Sequence, residues 1–262
     1  MKLWDNWLLR MNDELLLSCY RQISGILGGR SEPWESVKLI EQYRRYWQPE
    51  KVNVVLLAES HVFTSDVDRA CRLKKFKELP GYPDFYARYV YCLAYGEQTC
   101  TDAGKHPPKD GTPQYWKLFY SCLNRVDSNK SFFSPILKSG TTTRDRLKNK
   151  IDLLISLRQR GIWLVDASII ALSNKGVKPK PRVFNQVIKT SWQGYTRQLI
   201  QDANPKHVII VGKGVAKNVR ASVSSIVGEP GYTVIPQPQA HLSADQNLKN
   251  FRKCYDICSF NC

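Results

Sequence analysis

A short apolar run that stops at three polar side chains constrains the fold of this chain more than any other feature. Residues 51–63 are KVNVVLLAESHVF, and the run 52–57 is rich in β-branched residues, which is typical of a buried parallel strand. Glu59, Ser60 and His61 follow this run and supply a carboxylate, a hydroxyl and an imidazole. In open α/β sheets, ligands bind at the carboxyl ends of the strands. These three residues are therefore the first candidates for a catalytic site.

Three further apolar runs, at 162–165, 207–211 and 232–235, have the same strand-like character. Helices are predicted over 3–27, 31–47, 85–94, 114–123, 144–160 and 185–201, after Gly212, and in the C-terminal segment. Strands that alternate with helices predict an α/β fold, here a three-layer α/β/α arrangement around a small four-stranded parallel sheet. We expect a single domain over residues 1–262, with N-terminal helices in 1–48 and an enlarged insertion region in 64–160.

The charge of the chain indicates the class of its partner. Its 262 residues include 39 Lys plus Arg and 23 Asp plus Glu, a formal net charge of +16. This excess favours a polyanionic partner, and nucleic acid before a membrane surface. No run is long and apolar enough to span a bilayer, and the acidic residues near the N-terminus argue against a signal peptide. We expect a cytoplasmic monomer that binds double-stranded DNA.

The eight cysteines are expected to be reduced in that compartment. Cys254, Cys258 and Cys262 are spaced four residues apart on a predicted helix, so they span too great a length to hold one ion. The sequence therefore predicts no metal and no cofactor.

Four segments, taken in order, resemble motifs of the uracil-DNA glycosylase superfamily. They are VVLLAESHVF, RQRGIWLVDASIIAL, HVIIVGKGVAKNVRASV and TVIPQPQAHLS. The first resembles the family's strand followed by Gly-Gln-Asp-Pro-Tyr or Gly-Glu-Ala-Pro-Gly, and the second resembles the strand that ends in a base-binding Asn. The third resembles a core strand with its helix, and the fourth resembles the strand that leads to a His-Pro-Ser motif. The resemblance covers roughly residues 50–255 and implies a uracil-DNA-glycosylase-like fold. It also implies a DNA N-glycosylase that flips its base out of the duplex.

The resemblance implies roles at the step that breaks the glycosidic bond. His241 matches the family's His, which stabilises the charge that develops on the departing base. Ser60 stands where the uracil enzymes have an Asp that orients water, and a hydroxyl cannot supply that charge. Glu59, the preceding residue, takes the acid–base role in our interpretation, with Asp66 and Asp68 as the alternatives. Ser60 and His61 complete the catalytic candidates.

Asp166 occupies the position of the family's base-binding Asn. An Asn amide both donates and accepts, as the edge of uracil requires, whereas an ionised Asp only accepts and suits the exocyclic amine of cytosine. With Ser168 beside it, Asp166 implies a pocket for a modified cytosine, such as the hydroxymethyl- or glucosyl-hydroxymethylcytosine of phage DNA, and hence a role in antiviral defence. The alternative is that Asp166 is the N-cap of a helix that includes 168–172.

The resemblance and the charge pattern also indicate residues that contact DNA. Ser243 matches the family's phosphate-contacting Ser, and either Leu242 or Leu248 matches the apolar residue that enters the duplex. The basic candidates are Lys178, Lys180 and Arg182 after Asp166, Lys213 and Lys217 at a helix start, and Lys249, Arg252 and Lys253 near the C-terminus.

Three functional interpretations remain open at this point. The first is a glycosylase that excises a modified cytosine and leaves an abasic site. The second is a repair glycosylase for uracil or another deaminated base, against which Asp166 and Ser60 argue. The third is a catalytically silent DNA-binding relative, which the loss of the motif Asp favours and His241 opposes.

Overall fold

The four apolar runs form one sheet at the centre of the molecule. The structure is a computed structural model that describes residues 2–102, 111–127, 130–174, 177–238 and 242–262. The strands are β1 (Val54–Ala58), β2 (Ile162–Asp166), β3 (His207–Val211) and β4 (Tyr232–Ile235). They lie in the order β2-β1-β3-β4, and every pair is parallel. This arrangement confirms the predicted four-stranded parallel sheet. Apolar runs of this length are typical of parallel strands that are covered on both faces.

The helices that cover the sheet lie largely where their apolar periodicity predicts them. Their bounds are α1 (Lys2–Leu27), α2 (Trp34–Tyr46), α3 (Asp66–Arg69), α4 (Pro113–Leu123), α5 (Thr143–Gln159), α6 (Pro181–Ser191), α7 (Arg197–Ala203), α8 (Lys213–Val227) and α9 (Ala244–Asn261). Between α6 and α7 the helix takes a π-helical turn over Trp192–Thr196.

The order of the strands determines on which face each helix lies. The connection from β1 to β2 runs through α5 in one direction across the sheet, whereas the connections from β2 to β3 and from β3 to β4 run through α6, α7 and α8 in the other. Because parallel crossovers are right-handed, opposite directions place these helices on opposite faces. The contacts agree, since α4 packs on α5 and α9, whereas α6 packs on α1 and α8. The arrangement is compatible with a three-layer α/β/α fold.

Two predicted helices differ from the structure. The stretch 85–94 forms turns, because buried tyrosine hydroxyls bind its backbone: Tyr43 donates to Phe85 O (2.7 Å), and Tyr82 donates to Tyr91 O (2.7 Å). The helix predicted over 185–201 begins at Pro181 instead, where proline favours a first helical turn.

The π-helical turn gives α1 its docking surface. Gly194 lies in this turn, and a Cβ atom at this position would come within 3.1 Å of Cys19 Sγ on α1. The absence of a side chain therefore allows α1 to approach closely.

In the part of the chain that the structure describes, no helix is both long and apolar enough to cross a bilayer.

Candidate functional site

Glu59 lies where three of the predicted segments meet. The parallel register aligns Ala58 at the end of β1 with Asp166 at the end of β2, so Glu59 leaves the sheet at its carboxyl edge. Lys178, from the loop after β2, donates to Glu59 Oε1 (2.7 Å). Gln237, from the segment after β4, donates to Glu59 Oε2 (2.6 Å). The Glu59 side chain keeps 12% of its surface exposed, so the carboxylate remains close to solvent.

Gly212 makes the contact between Gln237 and Glu59 possible. Its backbone has φ +118°, and a Cβ atom there would come within 3.0 Å of Gln237 Cγ. A glycine at the end of β3 therefore leaves space for the glutamine that reaches across to β1. The sequence analysis did not identify Gln237, because an isolated glutamine in a loop carries no functional pattern.

Behind Glu59, the polar residues of the candidate site form a buried ionic cluster. His61 Nε2 lies 2.6 Å from Glu32 Oε2, and His61 Nδ1 lies 3.4 Å from Asp166 Oδ2. Arg44 Nη2 lies 3.9 Å from the same Asp166 oxygen and also pairs with Glu41. These five side chains are at most 4% exposed. The cluster joins α2 to the ends of β1 and β2.

His61 carries a positive charge in this cluster. Burial alone lowers the pKa of its imidazole, but Glu32 and Asp166 more than reverse that effect and raise the pKa to about 9. At neutral pH the ring is therefore an imidazolium that bridges two carboxylates. Such an ion resembles a fixed structural cation more than a general base, which must be neutral to accept a proton.

Glu32 is a site residue that the sequence analysis missed. It is fully buried, and besides His61 it accepts from Thr64 N (2.7 Å) and from Ala171 N (3.2 Å). One carboxylate thus connects the α1–α2 junction with the loops after β1 and β2. Its partners are 29, 32 and 139 residues away along the chain, so no local pattern indicated it.

Asp166 retains one unsatisfied oxygen. The residue is 1% exposed, and within the described residues neither its Oδ2 nor His61 Nδ1 has a hydrogen-bond partner. The two atoms attract each other as ions at 3.4 Å, which is longer than a good N–H···O bond. Unsatisfied buried oxygens are uncommon in proteins. Asp166 Oδ2 is therefore available to an additional donor.

The two serines of the candidate site stabilise the loop that follows β2. Ser60 Oγ accepts from Leu172 N (3.2 Å), and the fully buried Ser168 donates to Ile170 O (2.7 Å). Over 167–172, which the structure describes throughout, the backbone forms bends and no helix begins. The alternative in which Asp166 caps a helix there is therefore wrong, because the hydroxyl of Ser168 satisfies the backbone as a local turn instead.

Two alternative carboxylates lie in different surroundings. Asp68 is engaged in the capping box of α3, where it binds Ser65, and it also pairs with Arg88 (3.3 Å). Asp66 is largely exposed and pairs with Arg69 on the same short helix (2.7 Å). Within the described part of the chain, neither forms a hydrogen bond or ion pair with a residue of the Glu59 site, so Glu59 remains the better candidate for the acid–base residue.

An aromatic side chain from the insertion region lies close to both acidic residues. Tyr115 on α4 is buried, and burial, together with the charges of Asp166 and Glu59, raises the pKa of its hydroxyl above the ordinary range. The insertion region therefore contributes to the carboxyl edge of the sheet and not only to the periphery.

Four of the basic candidates collect at two neighbouring helix starts. Lys180 and Arg182 lie at the start of α6, Lys213 and Lys217 lie in the first turns of α8, and all four are exposed. The two helices are joined by a hydrogen bond from Asn218 to Asn185 (2.8 Å). Helix N-termini attract phosphate through their free amides and dipole. We call these four residues the basic face. Lys178 is separate from it, because it pairs with Glu59.

The C-terminal candidates divide between two places. Ser243 is exposed and caps α9, where its hydroxyl accepts from Gln246 N (3.2 Å), while Leu248 packs against the core and Leu242 is half-buried. Lys253 lies towards the opposite end of the sheet, since burial and, secondarily, the charge of Lys253 lower the pKa of His207, the first residue of β3. Lys253 therefore lies apart from the basic face, because α9 runs away from the carboxyl edge and ends beside Lys206, which precedes β3.

His241, the candidate for stabilising the departing base, lies outside the described residues. Arg252 donates to Val126 O (3.1 Å), and Lys249 is exposed. All eight cysteines are free, and only Cys262 is exposed. Among the described residues, no group of three His, Cys, Asp or Glu side chains is placed to hold a metal ion.

Comparison of the chain with family models, with curated proteins and with solved structures found no match.

Proposed function

We propose that this protein is a DNA N-glycosylase that excises a modified cytosine and leaves an abasic site. The observation that carries the proposal is the meeting at Glu59 of the segments after β1, β2 and β4. Three of the four resemblance segments contribute these strand ends, in the same order. The parallel sheet and its compatibility with three α/β/α layers support the uracil-DNA-glycosylase-like fold that the resemblance implies.

The proposed roles follow from the surroundings of each residue. Glu59 is the carboxylate that orients water and stabilises the positive sugar, because it is close to solvent and anchored at both oxygens. His241 acts on the departing base by the resemblance alone. Asp166 accepts from the exocyclic amine of the base, because its Oδ2 is unsatisfied within the described part of the chain. Since Asp166 is 1% exposed, entry of a base requires the side chains that bury Asp166 to move aside.

The basic face supports DNA as the substrate. Four exposed cations at two adjacent helix starts suit the phosphates of a duplex, and they lie on the elements that follow β2 and β3. Leu248 packs against the core, so Leu242 is the better candidate for the residue that enters the duplex. Antiviral defence is the biological role in which removal of a phage-type base is useful.

A catalytically silent DNA-binding protein is the second candidate. The observation in its favour is that Lys178 and Gln237 engage both oxygens of Glu59, which leaves the carboxylate without an obvious open position for water. This candidate predicts DNA binding of ordinary strength without any base release.

Base release from defined duplexes tests the proposal. Purified protein is incubated with unmodified, uracil-containing and glucosyl-hydroxymethylcytosine-containing DNA, and abasic sites are measured as alkali-labile breaks. We expect breaks only in the modified-cytosine duplex. Glu59→Gln should lower the rate by about 100-fold or more, the usual contribution of an acid–base group. Asp66→Asn, which removes an exposed carboxylate nearby, is the matched control and should leave the rate unchanged.

Two outcomes contradict the proposal in different ways. Efficient release of uracil with the modified cytosine untouched would show a repair enzyme. Binding to all three duplexes without breaks in any of them would favour the silent DNA-binding protein.

A further inference from the structure

A second polar cluster lies within the insertion region and outside the site described above. Glu97, Arg146 and Lys150 are at most 5% exposed. Arg146 binds both oxygens of Glu97 in a fork, with Nε to Oε1 at 2.6 Å and Nη2 to Oε2 at 2.7 Å. Lys150 donates to the same Oε1 at 2.9 Å. One buried carboxylate thus faces two buried cations.

The charges of this cluster do not balance. Among the described residues, the single carboxylate of Glu97 pairs with both Arg146 and Lys150, so one buried positive charge has no counterion there. Burial of an unpaired charge is strongly unfavourable. Accordingly, burial is the main effect on the pKa of Lys150 and lowers it, although Glu97 opposes the shift.

The cluster lines a cavity. Its volume is about 590 Å³, within the range of roughly 300–1,000 Å³ that is usual for small-molecule sites. Its described lining contains three basic residues, because Lys138 joins Arg146 and Lys150, and one acidic residue, Glu97. The rest of the wall is largely apolar and includes Tyr95, Trp116 and Leu137.

Lys150 has hydrogen-bonding capacity to spare. An ammonium group has three donors, and Lys150 uses one of them on Glu97. Its Nζ also lies 4.7 Å from the centre of the Trp116 ring, a cation–π distance, and the described residues provide no second hydrogen-bond acceptor for this ammonium. In the described part of the lining, the hydroxyl of Thr112 is also without a partner.

We propose that this cavity binds a small organic anion, with its carboxylate or phosphate ester on Lys150 and Lys138 and its apolar or aromatic body against Trp116 and Leu137. The anion supplies the negative charge that the buried cluster lacks. Charge favours an anion over a neutral sugar, and the apolar wall favours an organic ligand over inorganic phosphate. This site is distinct from the one at Glu59, since no residue of its described lining forms a hydrogen bond or ion pair with Glu59 or Asp166.

Titration calorimetry on the full chain tests the proposal with paired probes. Thymidine 5′-monophosphate and phenylacetate represent the phosphate and carboxylate arms, and thymidine and phenylacetamide are their uncharged counterparts. We expect at least one anion to bind, and its uncharged counterpart to bind about tenfold or more weakly, because charge-assisted hydrogen bonds are lost. If only one of the two anions binds, the result shows whether the site prefers a phosphate or a carboxylate.

Three lysine variants locate the binding. Lys150→Met should weaken anion binding by about tenfold or more, and Lys138→Met, at an exposed rim position, by a few-fold. Lys148→Met removes an exposed charge from the same helix and should change nothing. If circular dichroism shows that Lys150→Met does not fold, the anion affinities of Lys138→Met and Lys148→Met are compared instead, and only Lys138→Met should bind more weakly than the wild type.

The proposal fails on any of three results. The first is that neither anion binds at about 1 mM, the weak end of specific affinity. The second is equal binding of charged and uncharged probes. The third is binding that Lys213→Met abolishes and the folded cavity variants leave intact, which would assign the anion to the basic face. These results are separate from base release, because the readout is equilibrium binding of a small molecule.

Discussion

His61 determines how the stability of the protein depends on pH. The pKa of its imidazole is about 9 in the folded protein and close to 6.5 when unfolded, so the folded state holds the proton more tightly. The resulting stabilisation is fully present below about pH 6.5 and is lost as pH rises through about 9.

Urea unfolding measures this dependence. Between about pH 6.5 and 9, the free energy of unfolding of the wild type should fall relative to His61→Gln by up to roughly 3 kcal/mol. His207→Gln is the matched control, because the pKa of His207 is lowered and its titration lies below this window. Parallel pH curves for wild type and His61→Gln would contradict the assignment of the charge.

Asp166 determines base preference if the proposed function is correct. Asp166→Asn replaces an acceptor by a group that also donates, which suits uracil and weakens the contact with an exocyclic amine. We expect activity on modified cytosine to fall by about tenfold or more, since charge-assisted hydrogen bonds contribute roughly 1.5–3 kcal/mol.

The ratio of rates on modified cytosine and uracil is the quantity to measure. Asp166 also pairs with His61 and Arg44, so the variant loses stability, and the ratio removes that common effect. Asp152→Asn on α5 provides a control for loss of one carboxylate. An unchanged ratio would show that Asp166 has only a structural role.

At the scale of elements, the entry into β2 depends on one glycine. Gly161 follows α5 with φ +74°, and a Cβ atom there would lie 2.5 Å from Lys51 O. Both the backbone angle and the contact with another segment's backbone exclude a side chain.

Gly161→Ala should therefore destabilise the protein by more than about 1 kcal/mol, measured by urea unfolding. Gly25→Ala, in the interior of α1 with nothing within 4 Å of the added methyl, should instead stabilise it by about 0.5–1 kcal/mol. Equal effects of the two substitutions would contradict the close approach between Gly161 and Lys51.

The sequence allowed the sheet to be predicted because each strand is a local pattern. The runs that became β1 to β4 are largely apolar, and the acidic residues Glu59 and Asp166 lie at the carboxyl ends of β1 and β2. The stretch 85–94 could not be predicted in the same way. Its conformation depends on hydroxyls from Tyr43 and Tyr82, which satisfy the backbone in place of helical bonds.

The candidate site was predictable only in part, for the same reason. The residues at strand ends were identified from the sequence, whereas Glu32 and Gln237 were not, since each contacts the site from a distant segment. The burial of Asp166 and the charge of His61 arise from neighbours on α2 and at the α1–α2 junction, and no spacing rule connects those residues.

At the scale of the whole molecule, the net charge of +16 makes DNA affinity dependent on salt. Lysine and arginine side chains that bind DNA phosphates release counterions from the DNA, so log Kd should rise linearly with the logarithm of the salt concentration. Reversing the basic face with Lys180→Glu, Arg182→Glu, Lys213→Glu and Lys217→Glu should reduce the salt slope by about 3 to 4 and weaken binding to all sequences alike.

Fluorescence anisotropy at several salt concentrations measures this slope. Reversal of four exposed lysines elsewhere, at Lys51, Lys74, Lys75 and Lys148, gives the same change in net charge and serves as the control. If both sets of substitutions weaken DNA binding equally, affinity depends on the net charge of the protein and not on the basic face.

The position of Glu32 also has a consequence for the time at which the protein matures on the ribosome. Its carboxylate is synthesised early, but its partner Ala171 follows 139 residues later. At the usual rate of about 5–20 residues per second, this interval is roughly 7–28 s. During this interval the Glu32 carboxylate can bind His61 and Thr64 but not Ala171. The ionic cluster can close only after β2 has left the exit tunnel, so a nascent chain interrupted before this point contains no assembled site.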